Sequence, residues 1–322
     1  MKFFITGGAG FIGSHLAEHL IADGHEVWIL DDLSTGSITN LDAVLEHPKF
    51  HYRIGSVTDE ELVSALVDRA DVVYHLAAAV GVKLIVERPT HTIETNVRGS
   101  EVVLQAAAKK GKLTFIASTS EVYGKGVKLP FSEDDDLLFG ATTKSRWAYA
   151  CSKAIDEYLA LAYYRERETP VVITRFFNTV GPRQTGRYGM VLPNFVRQGL
   201  AGEDITVYGT GEQRRCFGYM GEVVECLVKL AHAPRAIGRV FNVGNDQEIS
   251  INELAELVRQ KTGSRSQIRH IDYEEAYPDG FEDMDRRIPN LSRLEDTIGY
   301  RPTMRVDDIV DRVVEYHTEN AS

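Results

Sequence analysis

The chain predicts an α/β fold, doubly wound around a parallel sheet, and three observations carry that expectation. Short, largely apolar runs recur along the first half: KFFIT, EVWILDD, HYRIGSV, DVVYHLAA, KLTFIASTS and PVVITRFFN. Between them lie longer segments with apolar residues three and four apart, such as FIGSHLAEHLIADG and NVRGSEVVLQAAAKKG. A glycine-rich turn, GGAGFIG, sits between the first run and the first of these segments. Strands that are apolar on both faces need helices on both sides, which is the Rossmann-type arrangement.

Taken in order, KFFIT is the first strand and FIGSHLAEHLIADG the first helix, with strands and helices alternating up to about Asn178. There the texture changes. A loop rich in glycine and arginine, GPRQTGRYG, precedes a helical pattern VLPNFVRQGLAGE and a short strand ITVYG. GEVVECLVKLAHAP reads as a helix and RVFNVGN as a strand returning to the main sheet. Ser250 and Glu253 form a capping box that opens the helix INELAELVRQKTG. The expected division is a dinucleotide-binding unit over 1–180 and about 217–245, and a smaller substrate-binding unit over about 181–216 and 246–318.

Composition narrows the partners. Of 322 residues, 43% are hydrophobic and 26% charged, as in ordinary globular domains. A formal net charge of −11 argues against a nucleic-acid or anionic-membrane surface. The cysteines Cys151, Cys216 and Cys226 show no paired spacing, which fits a reducing compartment. Lys2 precedes too short an apolar run for a secretory signal, and no stretch is long enough to span a bilayer. The expected location is cytoplasmic.

The glycines Gly7, Gly10 and Gly13 let the backbone approach a pyrophosphate at the N-terminus of the first helix. About twenty residues on, Asp31 and Asp32 end the second strand, where an acid bonds the adenosine ribose and repels a 2′-phosphate. Together they predict NAD. Tyr149 and Lys153, four apart in YACSK, share one helix face. An ammonium and a cationic nicotinamide lower a phenol's pKa, so Tyr149 can take a proton from a sugar hydroxyl as hydride leaves the same carbon. STSEVYG sets Thr119, Ser120 and Glu121 together at a strand end, where the bland role for Glu121 is to hold a loop. HLAEH matches a zinc-protease spacing, but it lies in the first helix with no third ligand in view, and no metal site is expected.

In order, GGAGFIG, Asp31, HLAAA, TNV with Asn96, STSEVYG, YACSK, FFNTVGPR and FNVGN resemble an extended short-chain dehydrogenase/reductase of the nucleotide-sugar epimerase, dehydratase and decarboxylase group. The resemblance covers nearly the whole chain. It implies a sugar oxidised at C4 by tightly held NAD, with Thr119 or Ser120 on the 4-hydroxyl, Tyr149 as base and Lys153 as its partner. It further implies Phe11, Ile12, Ala77 and Asn96 at the cofactor. Lys83, Asn178, Arg183, Val191, Arg215 and Arg287 are implied at the nucleotide sugar. The helices around Glu94–Lys110 and Arg146–Arg167 are implied to pair in a homodimer.

Dehydratases of this group carry an acid where Ser120 stands, and simple 4-epimerases have no need of Glu121. The Ser-Glu pair, RWAYACSK, RRCF and FEDMDRRIPN resemble the UDP-glucuronate decarboxylase branch. Oxidation at C4 makes the C5 carboxylate a β-keto acid, which loses carbon dioxide through an enolate held by Tyr149 and Thr119 or Ser120. The product would be UDP-xylose or the UDP-4-keto-pentose. Arg215 binds the substrate anion or orients the proton donor in this scheme, or contacts the diphosphate. A UDP-hexose or UDP-hexuronate 4-epimerase is the alternative, and a non-catalytic dinucleotide sensor a more distant one.

Overall fold

The computed structural model describes residues 1–80, 88–144, 146–186, 190–272, 275, 284 and 286–320. The first half runs β1 (Lys2–Thr6), α1 (Phe11–Ala22), β2 (Glu26–Asp31), β3 (Phe50–Ile54), α2 (Glu60–Arg69), β4 (Val72–His75), α3 (Pro89–Lys110), β5 (Leu113–Thr119), α4 (Arg146–Arg167) and β6 (Val171–Phe176). Then come β7 (Thr179–Val180), α5 (Val191–Ala201), β8 (Ile205–Tyr208), β9 (Arg214–Cys216), β10 (Gly218–Tyr219), α6 (Met220–Ala231) and β11 (Arg239–Val243). The chain continues through β12 (Glu248–Ser250), α7 (Ile251–Lys261), β13 (Ile268–Ile271), β14 (Arg286–Arg287), α8 (Ser292–Ile298) and α9 (Val306–Glu319).

The main sheet has the order β11-β6-β5-β4-β1-β2-β3 and is parallel throughout its described pairs. Its central strands are buried along their length, with helices on both faces. Leu16, Leu20, Val223 and Leu227 of α1 and α6 cover one face. Val63, Val67, Val103 and Ala107 of α2 and α3 cover the other. β11 rejoins this sheet beside β6, as RVFNVGN suggests.

A second core gathers Leu192 and Phe195 of α5, Ile205 of β8, Leu254 and Val258 of α7, and Ile309 and Val313 of α9. Ser250 and Glu253 close a full capping box at the start of α7. Helix α8 packs through Leu291 and Leu294 into the larger core, although its residues fall in the span 246–318 that the sequence reading gives to the smaller unit. A three-stranded sheet β12-β9-β14 brings Arg287 into register with Arg215.

The two layers around β5 and β6 are joined by a buried polar hub. Arg175 on β6 donates to both carboxylate oxygens of Glu157 on α4, at 2.9 and 2.7 Å. Ser118, one residue before the end of β5, donates to the same carboxylate at 2.5 Å. Removing the charge from one member of such a pair leaves the other buried and unsatisfied. Glu157→Gln is therefore expected to lower unfolding free energy by about 3–5 kcal/mol, read from the urea midpoint.

Candidate active site

The turn from β1 into α1 is shaped by what a side chain would strike. Gly7 has φ +70, and a Cβ there would lie 2.8 Å from the Ala77 nitrogen. A Cβ at Gly13 would stand 2.3 Å from the Gly7 carbonyl oxygen. Gly10 is the N-cap of α1, with no side-chain cap and no acid in the first turn, so the helix terminus is open to an anion. Phe11 and Ile12 begin that turn and pack partly into the core beneath.

Asp31 closes the cradle from the end of β2. Its carboxylate accepts the Ala9 N–H at 2.9 Å and the Leu33 N–H at 2.8 Å. Burial pushes its pKa up, against the pull of those two N–H groups. Asp32 faces outward and accepts from the Ser34 N–H. A cradle that excludes side chains, an open helix end and an acid at the next strand's tip together fit a dinucleotide.

Two expected cofactor residues are occupied within the protein. The Ala77 N–H donates to the Thr6 hydroxyl at 3.2 Å. Asn96 accepts the Ala79 N–H at 2.8 Å and donates to the Ser152 hydroxyl at 3.1 Å. The side chain of Asn96 thus pins the loop after β4 to helix α4.

The chemistry gathers where β5 ends. Thr119 accepts the Glu121 N–H at 3.2 Å, and this bond opens a 3-10 turn over Ser120–Tyr123. Tyr149 lies in the first turn of α4, almost fully buried, with the Thr119 hydroxyl beside its phenol. Burial, with the negative charges of Glu121 and Asp156, holds the Tyr149 phenol above its ordinary pKa, while Thr119 pulls it down. One turn on, the buried Lys153 ammonium donates to Asp156 at 2.6 Å.

Strand β14 brings Arg287 to this cluster. Its guanidinium is 3.3 Å from the Glu121 carboxylate, 3.5 Å from the Ser120 hydroxyl and 3.3 Å from the Asn178 side-chain oxygen. Asn178, at φ +26, also donates to the Cys216 carbonyl at 2.9 Å, tying the end of β6 to β9. Arg215, expected at the substrate anion, the proton donor or the diphosphate, is buried on the neighbouring strand and donates to the Arg214 carbonyl at 2.8 Å. Arg287 is a cation that meets Glu121.

Arg183 is expected at the nucleotide diphosphate. It has φ +67 and reaches back to α1, donating to Glu18 at 2.6 Å, to Ser14 at 3.2 Å and to the Asn40 carbonyl at 3.0 Å. Val191 begins α5, whose N-terminus lacks a side-chain cap, and packs against the second core. Lys83 lies outside the described residues. His15 and His19 of HLAEH go to separate partners, the Pro182 carbonyl and Asp23. Sequence reasoning missed Asp156; its signal was an acid three residues after Lys153 on a buried helix face.

Comparison with known proteins places the chain in a family. The family model described as GDP-mannose 4,6 dehydratase matches residues 4–313. A UDP-N-acetyl-alpha-D-glucosaminuronate decarboxylase of Bacillus cytotoxicus is 42% identical over 99% of this chain and 98% of its own. UDP-glucuronic acid decarboxylase 1 of Xenopus tropicalis is 33% identical over 98% of this chain and 72% of that protein. A dTDP-glucose 4,6-dehydratase from Streptomyces venezuelae, solved with NAD, superposes with a TM-score of 0.89 at 28% identity, covering 99% of this chain and 98% of that one. The chain belongs to the GDP-mannose 4,6 dehydratase family, among the NAD-dependent extended short-chain dehydrogenases/reductases that act on nucleotide sugars.

Proposed function

We propose that this enzyme is an NAD-dependent decarboxylase of a UDP-hexuronate, either UDP-glucuronate or its 2-acetamido counterpart. The observation that carries the reading is the Glu121–Arg287 pair standing beside Thr119 and Tyr149. Oxidation and re-reduction at C4 alone give such a pair no task, so a 4-epimerase leaves it unexplained. The names of the relatives at 42% and 33% identity support the same reaction.

NAD, when bound, supplies the hydride acceptor for C4, with Gly7, Gly10, Gly13 and Asp31 as the residues that would hold it. Tyr149 takes the proton of the 4-hydroxyl, oriented by Thr119. The resulting ketone lies β to the C6 carboxylate. The C5–C6 bonding pair then moves toward O4, carbon dioxide leaves, and donors at O4 stabilise the enolate. Tyr149, now protonated, and Thr119 are those donors. Glu121 meets the substrate carboxylate as a like charge and keeps Arg287 from neutralising it.

The larger unit is proposed to bind NAD and the smaller to bind the UDP-sugar. A second copy of the chain is the proposed partner, docking on α3 and α4. Tyr158 is 70% exposed, Ile155 45% and Ile93 40%, an apolar face that ordinary solvation does not explain. Among the described residues no helix is long and apolar enough to cross a membrane.

Proton NMR of the protein with NAD and each UDP-hexuronate, beside UDP-glucose, tests the reaction. A pentose or 4-keto-pentose nucleotide is expected; a galacto-configured product that keeps all its carbons would make the enzyme an epimerase. Glu121→Gln is expected to slow decarboxylation by about 10²–10⁴-fold while C4 oxidation remains visible as NADH absorbance. Tyr158→Glu is expected to convert a dimer to a monomer in light scattering, and a monomeric wild type would remove the dimer proposal.

A further inference from the structure

Helix α1 carries a sequence motif that the reaction above leaves unused, HLAEH. Its His15 and Glu18 converge on Pro182 and Arg183, in the segment that follows β7. His15 donates to the Pro182 carbonyl at 3.0 Å. Glu18 takes the Arg183 guanidinium at 2.6 Å, and its other oxygen, buried, has no hydrogen-bond partner among the described residues. Ser14, fully buried just before the motif, accepts from Arg183 at 3.2 Å. Arg183 holds φ +67 while it makes these contacts, a backbone that side chains rarely adopt.

The guanidinium also donates to the Asn40 carbonyl at 3.0 Å, and that contact leads to the cofactor cradle. Asn40 belongs to the 3-10 turn Ile38–Leu41, on the loop that leaves Asp31. Its side chain donates to the Ala9 carbonyl at 2.9 Å, and the Ser37 N–H donates to the same oxygen at 3.0 Å. The Ala9 N–H in turn is held by the Asp31 carboxylate. Arg183 thus braces, through Asn40, the loop that folds Asp31 and the glycine turn against each other. A binding geometry is only as fixed as the contacts behind the residues that make it.

The start of the same segment has anchors of its own. Thr179 and Val180 pair with Gly218 and Tyr219 of β10, and Asn178 donates to the Cys216 carbonyl. Gln184 turns back to donate to the Thr179 carbonyl at 2.9 Å. Asn178, which meets Arg287, is therefore placed without help from Arg183. Among the described residues the side-chain hydrogen bonds of Arg183 all run to α1 and the Asn40 turn.

We infer that Arg183 is a positioning residue for the dinucleotide, clamping α1 to the loop after β2 so that Asp31 and the glycine turn keep their shape, and that it is not a ligand of the sugar nucleotide's diphosphate. Two of its guanidinium nitrogens are already engaged. Drawing the group across to a diphosphate would strand the Glu18 carboxylate without its counter-charge.

Exchange of bound NAD for labelled NAD in the loaded protein, and UDP binding by calorimetry at saturating NAD, separate the two roles. Arg183→Asn withdraws the guanidinium and leaves a residue that tolerates the left-handed backbone. It is expected to speed NAD release about tenfold and to leave UDP affinity as in the wild type. Glu18→Ala is expected to act in the same direction, and the double variant to go no further than either, since both remove one clamp. The Glu18 variant decides the matter where Arg183→Asn does not fold. Lost UDP affinity with unchanged NAD release makes Arg183 a diphosphate ligand and overturns the inference. Earlier melting with both ligands held as in the wild type also overturns it, because the clamp would then be structural only. Only the UDP arm rests on the nucleotide-sugar reading. A wild type that takes up no UDP would sink that reading, while the NAD exchange rates would still decide the role of Arg183.

Discussion

Everything at this site hangs from the buried pair of Glu157 and Arg175. Glu157 sits one turn beyond Lys153 on α4, and Arg175 sits near the end of β6. Ser118, bonded to the same carboxylate, is the residue before Thr119. The pair thus fixes the distance from the hydroxyl strand to the helix that carries the tyrosine and lysine. The hub extends outward. Arg175 donates to the Glu133 carbonyl and stacks 4.7 Å over Tyr123, whose hydroxyl donates to Asn242 on β11. Asn242 in turn donates to the carbonyls of Phe131 and Asn290. In a low-dielectric interior such a network is rigid because every broken link strands a polar group.

That rigidity explains how a residue on a distant segment can be aimed at the reaction. Arg287 belongs to a strand only two residues long, with little packing of its own. Its direction is set by parallel pairing with β9, by the Phe131–Ile288 backbone bond and by Asn290, which donates its N–H back to Phe131. The loop over 131–133 therefore couples the Arg287 strand to the same hub that positions Tyr149. Strand β14 meets the end of β5 through hydrogen bonds from Arg287 to Ser120 and Glu121. Burial alone would not specify that geometry, since apolar contact is non-directional.

The fold was legible because each strand and helix carried its own local pattern. KFFIT, EVWILDD and PVVITRFFN are strands whose two faces are both covered, and the capping box at Ser250 and Glu253 opens a helix as its spacing says. Tyr149 and Lys153 could be read because four residues on a helix is a spatial statement. Arg287 could be named only through family likeness, since its meeting with Glu121 depends on pairing 166 residues apart. Where the side chains of Arg183 and Asn96 go could not be read for a related reason. Their motifs mark where they stand in the chain, whereas a backbone turn at positive φ and a loop's unpaired N–H decide where their side chains go.

The two ion pairs, the buried Lys153–Asp156 and the partly buried Glu121–Arg287, share one consequence for a reaction that expels a carboxylate. A bare cation in the pocket would bind the substrate carboxylate tightly in the ground state, and binding that is lost in the transition state slows the step. Both of these cations are already matched to an acid of the protein. In the proposed reaction the substrate's carboxylate would find recognition without full neutralisation, and its charge would be free to flow toward O4, where Tyr149 and Thr119 are the proposed donors. A site built this way needs no metal to draw off the electron pair. The ketone is the sink, and the protein's part is to leave the carboxylate less satisfied than the enolate.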